Sequence, residues 1–253
     1  MRAIITYHSI DPSRSAISTS EQEFRRHVDW LASNKSVSVV SLEKLLASKP
    51  EDHVVALTFD DAFQNFRSVA APILRAHGLP ALLFVATAHA GGTNAWPSPR
   101  GTPEVPVLPL MDWSDIASVA EDGVSIGSHA RTHRLLSSLS AADLREEIAE
   151  SAADVQRETG IAPAALAYPY GIASAREQKE AARVYDLAVG AELSVIGDES
   201  NRFMLPRIDA YYLRKPGVLE SFGSPRFDRF LKLRNRGRQL RTSVNRLLGQ
   251  GGA

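Results

Sequence analysis

The residues best suited to chemistry are two adjacent carboxylates, Asp60 and Asp61, and two histidines four apart, His129 and His133. The carboxylates end the run Val54-Val55-Ala56-Leu57-Thr58-Phe59, which has the length and β-branched content of a buried strand. A buried strand that ends in two acids is costly unless a cation, a metal or solvent meets them where it emerges. Taken alone the pair also fits an ordinary role, with Asp61 capping a helix and Asp60 solvated. The segment Ser128-His129-Ala130-Arg131-Thr132-His133 supplies partners. On one helical turn or a tight loop both imidazoles can face one point. Two histidines and a carboxylate make a three-ligand site for Zn²⁺, or for Co²⁺ or Ni²⁺, with a position left open for water. The ligands expected on this reading are Asp61, His129 and His133. Asp60, beside the metal and not needed to bind it, is left to act as general base.

Those residues need elements to converge them. Ala3 to Tyr7 reads as a first strand with His8 at its end, and Ser20-Glu21-Gln22-Glu23 opens a helix through a capping box. Further strands are expected at 37–40, 81–86, 124–127, 166–168, 187–189 and 205–208. Helices fall between most of them, including one from Ser140 to Thr159 closed by Gly160. Residues 91–109, rich in Gly and Pro, read as an irregular loop. This alternation predicts an α/β fold with a parallel sheet, as a closed or nearly closed (β/α) barrel, with an open doubly wound sheet as the alternative. In either architecture chemistry gathers at the C-terminal strand ends, where His8, Asp60-Asp61, Ser128-His129, Tyr168-Pro169-Tyr170 and Arg207 all fall.

Composition narrows the classes. The 253 residues are 44% apolar and 23% charged, as in a soluble globular protein with ample length for a core. The net charge is zero, which points away from nucleic acid, and with no cysteine any metal must sit on histidine and carboxylate. No stretch suits a signal peptide or a membrane span, so a cytoplasmic location is expected. The segment from Arg226 to Arg246 carries eight Arg or Lys and one acid, with Phe227, Phe230, Leu231, Leu240, Val244 and Leu247 at amphipathic spacing. It reads as a basic tail, 216–253, after a domain at 1–215. The tail would dock on an anionic membrane surface or an acidic partner, or pack as a solvated helix.

Thr58-Phe59-Asp60-Asp61 followed by Ser128-His129-Ala130-Arg131-Thr132-His133 resembles the polysaccharide deacetylases of the NodB homology type, carbohydrate esterase family 4. Met111-Asp112-Trp113, Ser125-Ile126-Gly127 and Ala167-Tyr168-Pro169-Tyr170-Gly171 look like that family too, so the resemblance spans roughly residues 1 to 215. It implies the family's distorted (β/α) barrel and the removal of acetyl groups from an N-acetylated saccharide. It also implies Asp60 as base, Asp61, His129 and His133 as metal ligands, and an oxyanion held by a backbone N–H near Tyr170. Where the family often has an Arg supporting the base, Ala167 stands here; Arg207 is the expected replacement, with a surface salt bridge as its plainer role. The family's late catalytic histidine is missing, since no His follows His133. In the branch similar to poly-N-acetylglucosamine de-N-acetylases the motif order is permuted and a His after an N-terminal strand fills that place. Tyr7-His8 matches, so His8 is expected to be the general acid. Trp113, Tyr168 and Pro169 are expected to touch the sugar, Trp113 and Trp96 by offering flat faces unless the core takes them. An amidase acting on a non-sugar amide or cyclic ureide, and a catalytically silent carbohydrate-binding protein, are the competing functions.

Overall fold

The computed structural model describes the backbone of residues 1–249 and the side chains of residues 1–237. Its strands are β1 (Arg2–Tyr7), β2 (Ser9–Ile10), β3 (Ser18–Thr19), β4 (Ser38–Val39), β5 (Val54–Phe59), β6 (Leu82–Val85), β7 (Ser125–Ser128), β8 (Ala165–Ala167), β9 (Leu187–Val189) and β10 (Ile208–Asp209). The helices are α1 (Glu21–Ser33), α2 (Leu42–Ala47), α3 (Ala71–Ala76), α4 (Trp113–Glu121), α5 (Ala141–Thr159), α6 (Ala175–Ala181) and α7 (Pro225–Gly249). All strands of the main sheet run parallel in the order β10-β1-β5-β6-β7-β8-β9, with β4 beside the first half of β5. Leu205 bridges Val189 of β9 and Ile208 pairs with Ile5 of β1, so residues 205–209 bring the two edges of the sheet together. The sheet is thereby curled into a distorted (β/α) barrel, not the open sheet that the alternation also allowed.

The period-two alternation of a strand sorts its side chains between two cores. Ile4, Ala56, Phe84, Ala167, Val189 and Leu205 fill the inside of the curl. Ile5, Tyr7, Leu57, Phe59, Leu83 and Ile126 face outward and meet Phe24, Val28 and Leu31 of α1 and Ile116 and Val119 of α4. Local sequence fixes the helix ends. Ser20 and Glu23 form the capping box of α1, Asp112 and Ser140 cap α4 and α5, and Gly160, at φ 74°, stops α5. A helix running directly on from Asp61 does not form. Asp61 and Ala62 take left-handed φ of 71° and 59°, and the chain resumes helical structure at Gln64, widening over Phe66–Ala70 before it leads into α3. Asp61 is therefore not a helix cap.

The boundary expected at residue 215 does not divide two packing units. Leu219, Phe222, Phe227 and Leu231 are buried in the core that lies outside β1 and β5. Phe227 and Leu231, two positions of the stripe expected to dock on a membrane or an acidic partner, thus face the body of the protein. The side chains of Leu240, Val244 and Leu247 lie outside the described residues. Among the described residues no helix is long and apolar enough to cross a membrane.

Candidate active site

The same alternation that fills the barrel builds the site above it. Two residues beyond Thr6 is His8; two beyond Thr58 is Asp60; two beyond Gly127 is His129; two beyond Leu205 is Arg207. Each continues the inward-facing row of its strand past the last apolar layer, so the four polar groups converge at the C-terminal mouth. Together with Asp61 and His133 they line one cavity of about 230 Å³.

At its floor Asp60 and Arg207 form a buried bidentate pair, Nη1 to Oδ1 at 2.7 Å and Nη2 to Oδ2 at 2.8 Å. Arg207 is oriented in turn by donating to the Gly190 carbonyl at 2.8 Å and to the Thr6 hydroxyl at 3.0 Å, and its guanidinium lies over the Phe84 ring. A planar fork with two parallel donors is what fixes a carboxylate's plane. Burial pushes the Asp60 carboxyl up, but Arg207, then His129 and His8, outweigh it and hold the group well below the usual carboxylate range. Burial also pushes Asp61 up, and there it prevails, because the adjacent Asp60 charge works in the same direction and Arg207 contributes least. His8 Nε2 stands 3.7 Å from Asp60 Oδ2, with its side chain partly open to solvent.

Asp61, His129 and His133 offer ligand atoms that all lie within 4.8 Å of one another, and all three residues are buried. His129 Nδ1 is 2.7 Å from the Ala167 carbonyl, which can only accept, so the proton sits on Nδ1 and the neutral ring's Nε2 carries a lone pair. That Nε2 faces Asp61 Oδ1 at 3.5 Å, as does His133 Nε2 at 3.4 Å. Asp61 Oδ1 is buried and has no hydrogen-bond donor among the described residues. The His129 lone pair and the unpartnered buried carboxylate oxygen repel unless a cation sits between them, and the buried His133 Nδ1 likewise has no hydrogen-bond partner among the described residues. The residues present therefore fit a divalent metal with nitrogen and oxygen ligands. Backbone strain concentrates at the same place. Asp61, Ala62, Ala130, His133 and Tyr170, none of them glycine, all take left-handed φ between 54° and 71°, each at a cost of about 1 kcal/mol or more.

The loop over residues 91–109 roofs the cavity. Asn94 staples its two arms, donating to the Pro106 carbonyl at 3.0 Å and accepting the Leu108 N–H at 2.7 Å. This places Trp96 flat against His133, with ring centroids 4.1 Å apart, and lets Tyr170 donate to the Pro97 carbonyl at 3.4 Å across the cavity. Trp96 is thus the tryptophan of the site. Trp113 is not: it opens α4 and packs half-buried against the outer core, where the apolar face of that helix carries it. Tyr168 lines the cavity but its ring is buried in the core under α5, and its hydroxyl donates to the Phe203 carbonyl. Pro169 is buried and does not line the cavity, so the direct sugar contact expected of it has no surface to use.

Residues 47–187, more than half of the chain, match the sequence profile of the family described as Polysaccharide deacetylase. The chain belongs to that family. Its members are hydrolases that deacetylate saccharides, and the fold agrees. The Streptococcus pyogenes deacetylase PplD, solved in complex with acetate, superposes with a TM-score of 0.71 at 21% identity, covering 89% of this chain and 95% of that one. IcaB from Ammonifex degensii gives 0.68 at 20% identity, covering 86% and 93%. The Bacillus subtilis protein YxkH, which carries the same family name, is 24% identical over 210 residues, 81% of this chain and 70% of its own length.

Some of what builds this deacetylase site went unread in the sequence. Glu147, Ser151 and Asp154 are buried polar residues on the packed face of α5. The signal was available at Ser151, a polar residue in the apolar series Leu144, Ile148, Val155. Trp96 and Asn94 had no periodic pattern to place them, because the roof is a loop.

Proposed function

We propose that the chain hydrolyses the acetamido group of an N-acetylhexosamine unit in a glycan, with a divalent cation, Zn²⁺ first among the candidates, on Asp61, His129 and His133. The observation that carries this reading is the grouping of an ionised, Arg-clamped carboxylate and a third histidine, His8, beside those three ligands. A cation held there would act as a Lewis acid, acidifying water and polarising the carbonyl under attack. Asp60, kept ionised by Arg207, receives a proton from the water that attacks the acetyl carbon. The Tyr170 peptide, turned by its left-handed φ of 60°, offers its N–H to the developing oxyanion. As the C–N bond breaks, protonated His8 gives its proton to the departing nitrogen, which leaves poorly otherwise. The products are acetate and a free amine. Asp60 sheds its acquired proton readily because its carboxyl is held so low, and His8 Nε2, 3.7 Å away, is the nearest group to receive it.

The solved de-N-acetylase from Aggregatibacter actinomycetemcomitans shares the fold at a TM-score of 0.67, which is consistent with an amide substrate. The size of the cavity favours a second reading. About 230 Å³ beneath the roof lies below the roughly 300–1,000 Å³ of most small-molecule sites, and would suit a small non-sugar amide. Acetate release decides between them. With added Zn²⁺ or Co²⁺, N-acetylglucosamine oligomers, N-acetylated monosaccharides, an acetyl ester and a cyclic ureide would be compared, with Asp60→Asn as control. Release from the acetamido sugars that disappears in the control is expected. Turnover of the ureide alone would transfer the function to the second reading, and equal release from wild type and control would remove Asp60 from the mechanism.

A further inference from the structure

Glu147 lies on the face of α5 that packs inward, next to Ile148 and one turn from Leu144, and it is buried. A carboxylate in such a place must find donors. Among the described residues, all those that it has come from the loop joining the two candidate metal-binding histidines. Oε2 accepts the N–H of Arg131 at 3.0 Å and the N–H of Thr132 at 2.9 Å, and Oε1 accepts the Thr132 hydroxyl. Ala130 and His133, on either side of these two residues, are both in the left-handed region, so the loop holds a shape its own backbone disfavours. The same helix face fixes the entry to the loop. Ser151 meets the Ser128 hydroxyl at 2.8 Å, Ser128 Oγ accepts the Ala130 N–H at 3.1 Å, and Asp154 accepts the Thr87 hydroxyl at 2.7 Å. The end of β7, the loop and α5 are thereby tied into one body.

We propose that Glu147 is a positioning residue for the metal centre: by clamping the backbone of Arg131 and Thr132 it sets where His133 stands relative to His129 and Asp61. This rests on the reading that Asp61, His129 and His133 bind a divalent cation. Glu147 has no hydrogen bond to any of the three and takes no part in bond making. Its charge is dispensable and its geometry is not. Both backbone N–H groups meet one oxygen, so a glutamine can place its Oε1 there and donate its amide to the Thr132 oxygen. An aspartate is one methylene, about 1.5 Å, too short to reach.

The test is a Co²⁺ titration of metal-free protein followed by visible absorption, with Zn²⁺ competition, on wild type, Glu147→Ala, Glu147→Asp, Glu147→Gln and Leu144→Ala. The alanine and aspartate variants should bind roughly 10–100-fold more weakly, and the glutamine variant close to wild type. Leu144→Ala removes a fully buried side chain from the same helix; its melting temperature should drop while its metal affinity stays near wild type. Wild-type affinity in Glu147→Ala, or in Glu147→Asp should the alanine variant not fold, would overturn the proposal. So would a Leu144→Ala protein that loses as much affinity as they do, since the effect would then be general loosening. Wild type that takes up neither Co²⁺ nor Zn²⁺ would instead refute the metal reading, and this inference with it.

Discussion

Asp60 and Asp61 are neighbours in sequence and almost equally buried, yet their carboxyls are driven in opposite directions. The difference is Arg207, which takes both oxygens of Asp60 and leaves Asp61 Oδ1 for another partner. Replacing Arg207 with Met keeps an unbranched apolar stem and removes the fork. Burial then acts on Asp60 without its main opponent and its carboxyl rises. A base works only when ionised, so the acidic limb of the pH profile of kcat/KM should move to higher pH, with activity near neutrality lower by roughly 10²-fold. Folding stability should fall by about 3–5 kcal/mol, the usual cost of leaving one partner of a buried ion pair alone. An acid limb that does not move would show that Asp60 is not the group whose ionisation limits the reaction. Arg207 could be found in the sequence because it stands two residues beyond Leu205 on an inward-facing row. Trp113 was misplaced because a single aromatic residue at a helix start carries no information about which side of the sheet it will face.

At the scale of the element, the strands act as rulers, and one glycine shows how tightly they are set. A Cβ on Gly127 of β7 would lie 2.7 Å from two carbons of the Phe84 ring and 3.0 Å from the Ala165 carbonyl oxygen. Phe84 itself supports Arg207 from below, so the ring has little freedom to retreat. Gly127→Ala should destabilise the fold by about 1–3 kcal/mol through overpacking, and by displacing β7 it should weaken Co²⁺ binding through His129, two residues on. Urea unfolding and Co²⁺ titration of the variant check both, and an alanine protein matching wild type in both would mean that β6 and β7 are less rigidly spaced than the geometry implies. A strand such as β5 was legible in the sequence because it is a short continuous run of apolar, partly β-branched residues. The roof over residues 91–109 was legible only as a loop, since its shape depends on Asn94 reaching residues 106 and 108, a contact that no local pattern announces.

For the molecule as a whole, alternating strands and helices foretold a barrel-like α/β fold, while the closing of the sheet through residues 205–209 and the extension of the outer core into α7 depend on long-range contacts. That outer core also holds a titratable group that the chemistry does not use. His27 of α1 is fully buried, its Nδ1 3.0 Å from the Tyr7 hydroxyl and its Nε2 3.1 Å from the Leu213 carbonyl, so it ties α1 to both β1 and the turn after β10. Burial lowers its pKa from 6.5 to about 4; the Leu213 carbonyl opposes this without overcoming it, and Arg26 adds to it. The unfolded chain therefore binds a proton at His27 at pH values where the folded protein does not. Stability is complete above pH 6.5 and is lost as the pH falls toward 4, by about 3 kcal/mol over that window. His27→Gln retains a hydrogen-bonding side chain and cannot titrate. Its unfolding free energy should start lower than that of wild type at neutral pH and then decline less steeply on acidification, so the two urea midpoints converge. Parallel decline of the two proteins would place the acid sensitivity elsewhere, in the carboxylates of the site rather than in the joint between α1 and the sheet.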